Sequence, residues 1–141
     1  MTQIAKNKIF AKLENFREYL KYLKQISKEV SSQKKFISDF YLFGSVERYL
    51  QLCIQIVIDV GHLIIIDKGL KRPEDNYEMV SLLYSQKIIS KKTADNITCM
   101  IGLRNLLVHE YGQIDRKIIY KVLKDNVGDL EIYYSEIVKI L

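Results

Sequence analysis

Apolar residues recur along this chain at the three- and four-residue intervals of amphipathic helices. Ile9, Leu13, Phe16, Leu20, Leu23, Ile26 and Val30 form one stripe, which predicts a first helix ending near Val30, before the Ser31-Ser32 pair. A second, long helix is expected to start between Asp39 and Ser45 and to run to about Asp67, with Gly69 as its stop. Its apolar residues lie on nearly all sides, which marks it as the buried central helix. Arg48, Gln51, Gln55, Asp59 and His62 fall three or four apart on it, a polar stripe facing a wet cleft, a polar subunit interface or solvent.

The segment Lys71 to Asn76, with Pro73, reads as a loop or helix start, and a short helix follows from Tyr77 to Gln86. Ser90 is a suitable N-cap for a helix from Lys91 to about Val108, and Gly112 marks its end. Asp115 is a suitable N-cap for the last helix, whose stripe runs from Ile118 to Leu141 with a bend or interruption at Asn126 to Gly128. The expected fold is all-α, an up-and-down bundle of four to five helices forming a single domain over 1–141.

Composition narrows this reading without changing it. Six glycines and one proline argue against a turn-rich β fold, and 141 residues suffice to bury a core. Cys53 and Cys99 each sit in an apolar helical run and are expected to be buried, reduced thiols. The N-terminus is polar and charged throughout, and no uninterrupted apolar run reaches the roughly 18 residues of a membrane span. The expectation is a soluble cytoplasmic protein with no membrane partner.

Net charge is +5, and its distribution is uneven. Residues 1–35 carry nine Lys/Arg against three Asp/Glu, whereas the remainder carries thirteen against fourteen. Lys6, Lys12, Arg17, Lys21, Lys24 and Lys28 therefore either attract a polyanion or form an ordinary solvated helix face.

The densest chemistry lies in Arg104-Asn105-Leu106-Leu107-Val108-His109-Glu110-Tyr111. Arg104 is the only charged residue between Asp95 and His109, inside a run that otherwise reads as helix interior. A charge placed there is costly unless paired or used. A histidine suited to proton transfer near neutral pH and a phenol follow it. On an ideal helix Arg104 and Tyr111 share a face, and His109 points well away from both. Either the helix unwinds near His109, or two copies of the motif meet across a dimer. Without chemistry, Arg104 and His109 would serve as cations at a helix C-terminus. His62, three residues after Asp59, reads as a satisfied core or interface residue.

This octet, within its helical surroundings, resembles the HEPN superfamily and most closely its HepT-like toxin branch. That pattern is Arg, a polar residue, a short spacer, His, and Tyr two residues later; Arg104, Asn105, His109 and Tyr111 match it. The resemblance implies a homodimer whose paired motifs share a cleft. It also implies a metal-independent endoribonuclease toxin of a type II-like toxin–antitoxin pair, with RNA as substrate and no cofactor. Arg104, His109 and Asn105 would be catalytic; Asp59, read from the polar stripe of the long helix, is a candidate acid behind them in the cleft. Tyr111 would either contact nucleic acid or, as the resemblance implies, be AMPylated by an MNT-type nucleotidyltransferase antitoxin. The competing expectation is a non-catalytic helical module that binds a nucleotide or docks the nucleotidyltransferase.

Overall fold

Thr2 starts the first helix, its hydroxyl accepting from the Ala5 N–H at 3.2 Å. The computed structural model describes residues 1–109 and 115–141, the side chains of Val108 and His109 excepted. Among these residues the chain forms α1 (Gln3–Glu29), α2 (Gln33–Ser38), α3 (Phe40–Asp67), α4 (Asn76–Ser85), α5 (Lys91–His109), α6 (Arg116–Asp125) and α7 (Val127–Val138). The all-α architecture is as expected, but the helix number is higher than four or five, for two local reasons.

First, α2 is a separate short helix. Ser32 caps it by accepting from the Lys35 N–H, and Phe36 is its buried residue. Six residues are too few to show a helical period in sequence. Asp39 then ends α2 and caps α3, its carboxylate accepting from the N–H groups of Tyr41 and Leu42 at 3.0 and 3.2 Å. Second, the final stripe is cut at Asn126, whose ψ of −4° departs from the helical value. Its side chain donates to Asp129 at 3.0 Å and opens α7.

The other signals hold closely. α3 stops at Gly69, which takes φ +67°, a left-handed conformation natural to glycine. Asp75 caps α4 through the Glu78 N–H at 2.8 Å, and Asp115 caps α6 through the Lys117 N–H at 2.9 Å.

α3 is the central element, packed against α1, α2, α4, α5 and α6. It is long and apolar enough to cross a membrane by length and composition alone, but half of its most apolar window is buried against neighbouring helices. α1 runs antiparallel along it: Thr2 meets Asp67, Lys12 meets Asp59, and Tyr19 and Tyr22 pack on Tyr49. α7 closes the opposite side, where Phe16 packs between Tyr133 and Tyr134. One cluster of buried residues runs through all seven helices. Each fully buried Leu, Ile or Phe in it contributes about 1.5–3 kcal/mol.

The two cysteines part company. Cys53 is buried on α3, whereas Cys99 is exposed, contrary to expectation. Position 99 lies about 200° around α5 from the buried Ile97, on the solvent side. An apolar run in sequence does not say which face a residue takes.

Candidate functional site

α5 is anchored at its start. The Ser90 hydroxyl accepts from the Thr93 N–H at 3.2 Å, and the Ser90 N–H and the buried Thr93 hydroxyl both donate to the Glu136 carboxylate of α7, at 3.2 and 3.1 Å. This clamp fixes the rotation of α5. Ala94, Ile97 and Ile101 then point into the core. Arg104 follows Ile97 by seven residues, nearly two turns, and so falls in the middle of that apolar face.

A guanidinium in such a place needs partners. α3 supplies one: Arg104 Nη2 donates to Gln55 Oε1 at 2.8 Å. Gln55 Nε2 in turn donates to Asp59 Oδ1 at 2.9 Å, and Lys12 Nζ on α1 pairs with Asp59 Oδ2 at 3.3 Å. The amide orientation of Gln55 is fixed from both ends, since only the oxygen can face the guanidinium and only the nitrogen the carboxylate. A relay of four side chains thus ties α1, α3 and α5 together. Its outer pair, Lys12 and Asp59, is more than one-third exposed and adds at most about 1 kcal/mol. Its inner end is different. Arg104 Nε is buried and has no hydrogen-bond partner among the described residues. An anion with two oxygens, a phosphate above all, is the ligand suited to the remaining guanidinium donors.

Two residues on from Gln55, α3 is also tied to α7. The buried Tyr133 hydroxyl donates to the Val57 carbonyl at 3.1 Å, and burial pushes its pKa well above the ordinary phenol range. Burial likewise pushes the Cys53 thiol up to about 12.

The structure brings some of the expected residues together and separates others. Arg104 and Asp59 are joined, but through Gln55. Asn105 turns toward α4, where its amide meets the Tyr77 hydroxyl at 3.5 Å. His62 Nε2 lies 3.0 Å from Asn76 Oδ1, the partnered role expected for it. α5 remains helical through His109, so the chain does not unwind before that residue. The His109 side chain and the whole of Tyr111 lie outside the described residues. Sequence alone does not mark Gln55 or Tyr77 as site residues. Gln55 carried a signal in the polar stripe of α3, whereas Tyr77 carried none. Among the described residues, no three His, Cys, Asp or Glu side chains gather as metal ligands would.

Known proteins share this layout. The family model described as ribonuclease HepT-like matches residues 16–137. An mRNA nuclease HepT of Shewanella oneidensis is 30% identical over 109 residues, covering 77% of this chain and 82% of that protein. A tRNA nuclease HepT of Aphanizomenon flos-aquae is 31% identical over 137 residues, covering 97% of this chain and 92% of that protein. A solved structure of a tri-AMPylated Shewanella oneidensis HEPN toxin in complex with MNT antitoxin superposes with a TM-score of 0.81 at 29% identity, covering 100% of both chains.

Proposed function

The chain belongs to the HepT-like ribonuclease family, and from that premise we propose that it is a metal-independent endoribonuclease, the toxin of a toxin–antitoxin pair. The observation that carries this reading is the Arg104 guanidinium, anchored at one edge by Gln55 and with its buried Nε uncommitted among the described residues.

The chemistry follows from the residue types. The ribose 2′-hydroxyl attacks the adjacent phosphorus, the P–O5′ bond breaks, and the products are a 2′,3′-cyclic phosphate and a free 5′-hydroxyl. His109 takes the 2′-proton or gives one to the departing O5′. Arg104 binds the phosphate and stabilises the charge developing on its oxygens. Asn105 orients His109 or a phosphate oxygen, and Asp59 acts at a distance by setting the Gln55 amide.

The continuous helix supports a homodimer. Five residues at 100° each displace position 109 by about 140° from position 104, so one α5 does not present both to one phosphate. Two copies with their α5 ends side by side would. Tyr111, two residues after His109 in sequence, is the proposed acceptor of AMP from an MNT-type nucleotidyltransferase antitoxin. AMP there would place negative charge and bulk beside Arg104 and His109 and turn RNA phosphates away. With cellular RNA as substrate, the reading implies a cytoplasmic protein.

The test is to treat the protein with an MNT-type nucleotidyltransferase and ATP, following intact mass and RNA cleavage together. The parent should gain AMP and lose cleavage. Tyr111→Phe should cleave, gain no AMP and escape silencing. AMP found on another residue, or silencing of Tyr111→Phe, would contradict the assignment. RNA binding without cleavage in the unmodified parent would favour the non-catalytic module.

A further inference from the structure

Away from the motif, α1 and α7 enclose a groove of about 610 Å³. Arg17, Lys21, Lys24 and Lys28 line it, at the spacing of one helix face, with Leu20 and Tyr134 as its floor. The stripe from Arg17 to Lys28 is about 16 Å long. Lys24 alone among the four has an ion-pair partner among the described residues, Glu131 at 3.1 Å, and both are half exposed. Such a pair opens at little cost when another anion arrives. Beyond the groove, Lys124 of α6 donates to the carbonyls of Ser27 and Val30 at the end of α1. Tyr134 stacks on Phe16 with ring planes 22° apart and forms a half-buried aromatic surface between the cations. Phe10 lies on the same face of α1, two turns before Arg17, and is 45% exposed.

We propose that the α1–α7 groove is an auxiliary RNA-binding surface that holds substrate backbone outside the cleavage site. The inference rests on the reading of RNA as substrate. Cations at helical intervals with aromatic residues among them suit phosphates and unstacked bases. A membrane surface fits less well: Leu20 is buried, and only Phe10 on this face of α1 and Val138 on α7 offer exposed apolar side chains to insert.

The groove also has a defined relation to the motif. Lys12, which faces Asp59 and the Arg104 relay, lies about 140° around α1 from Arg17. One edge of α1 therefore serves the relay and the other the groove. A short oligonucleotide at the motif does not reach round the helix, whereas a folded RNA does. The groove thus selects for large, structured RNA.

The experiment compares the parent protein with the triple variant Arg17→Gln, Lys21→Gln, Lys28→Gln, all at exposed or partly exposed positions, with circular dichroism as the check on folding. Two labelled RNAs are used, a structured RNA of tRNA size and a short single strand carrying the same cleavage site. The groove predicts that KM for the structured RNA rises about tenfold or more, with kcat and short-strand cleavage unchanged. The magnitude of the slope of log binding constant against log salt should fall by about 2. Equal KM for the structured RNA in parent and variant, while the parent cleaves both, overturns the groove and leaves the ribonuclease reading intact. A parent that neither binds nor cleaves RNA overturns both. Binding of the parent to phosphatidylserine vesicles, lost in the variant with RNA binding unchanged, assigns the stripe to a membrane and overturns the proposal.

Discussion

Gln55 Oε1 and Arg104 Nη2 meet at 2.8 Å across α3 and α5, and this one bond sets the position of the motif arginine. It holds a cation inside an apolar face without neutralising it, because an amide lends a dipole rather than a charge. The cation is thereby kept in place while its charge stays available to an anion.

Removing that bond should therefore affect both fold and chemistry. Gln55→Leu leaves another buried donor of Arg104 unpaired, and a loss of about 1–3 kcal/mol is expected. Thermal unfolding should show it as a fall of several degrees. Gln55→Glu keeps the acceptor for Arg104 but loses the donor to Asp59 and sets one carboxylate against another, so it too should cost stability; it also neutralises the guanidinium and should raise KM for RNA. Equal KM in the parent and Gln55→Glu would show that Arg104 does not bind the phosphate.

Two glycines give opposite expectations for the same substitution. A Cβ on Gly61 would lie 2.3 Å from Met79 Sδ, and Met79 is fully buried where α3 and α4 cross. Gly128, in α7, has nothing within 4 Å of such a Cβ. Alanine at Gly128 should stabilise by about 0.5–1 kcal/mol through helix propensity. At Gly61 the same gain is offset by an overpacking cost of about 1–3 kcal/mol. Urea midpoints should thus move in opposite directions; a gain at Gly61 would mean that Met79 yields freely.

The thiols should differ in kind. Iodoacetamide should label Cys99 in the folded protein and reach Cys53 only on unfolding. Burial raises Cys53 from its ordinary 9.0 to about 12, so the folded state keeps its proton where the unfolded state loses it. The stability this contributes is fully present below pH 9.0 and is lost as pH climbs toward about 12. Cys53→Ala should flatten that part of the stability–pH curve, and an unchanged slope would show that Cys53 titrates normally.

The dimer reading is checked by mixing. Arg104→Ala and His109→Ala should each be inactive alone. If each site draws Arg104 from one copy and His109 from the other, mixed dimers contain an intact site and recover part of the activity. Mixtures as inactive as their components would place both residues in one subunit's site.

Much of this was legible in sequence because the signals were local. Ser90, Asp115 and Gly69 marked their helix boundaries through side-chain capping and left-handed geometry, which depend on near neighbours alone. The stripe from Gln55 to Asp59 marked a polar face on the central helix, and the isolation of Arg104 marked a charge in need of a partner. What stayed hidden depends on helices meeting in space. That Gln55 would be that partner follows from the rotation of α5, which the Ser90–Glu136 clamp sets from a distance. The exposure of Cys99 follows from the same rotation. α2 leaves no mark in the sequence because six residues complete too few turns to show a period.

The most direct test of the account is cleavage of a labelled structured RNA in EDTA by the purified, unmodified parent and by His109→Ala. The account predicts that the parent cuts and leaves 2′,3′-cyclic phosphate ends, while His109→Ala, equally folded, does not cut. A parent that needs a divalent metal, that cuts DNA as readily, or that is matched by His109→Ala would contradict it.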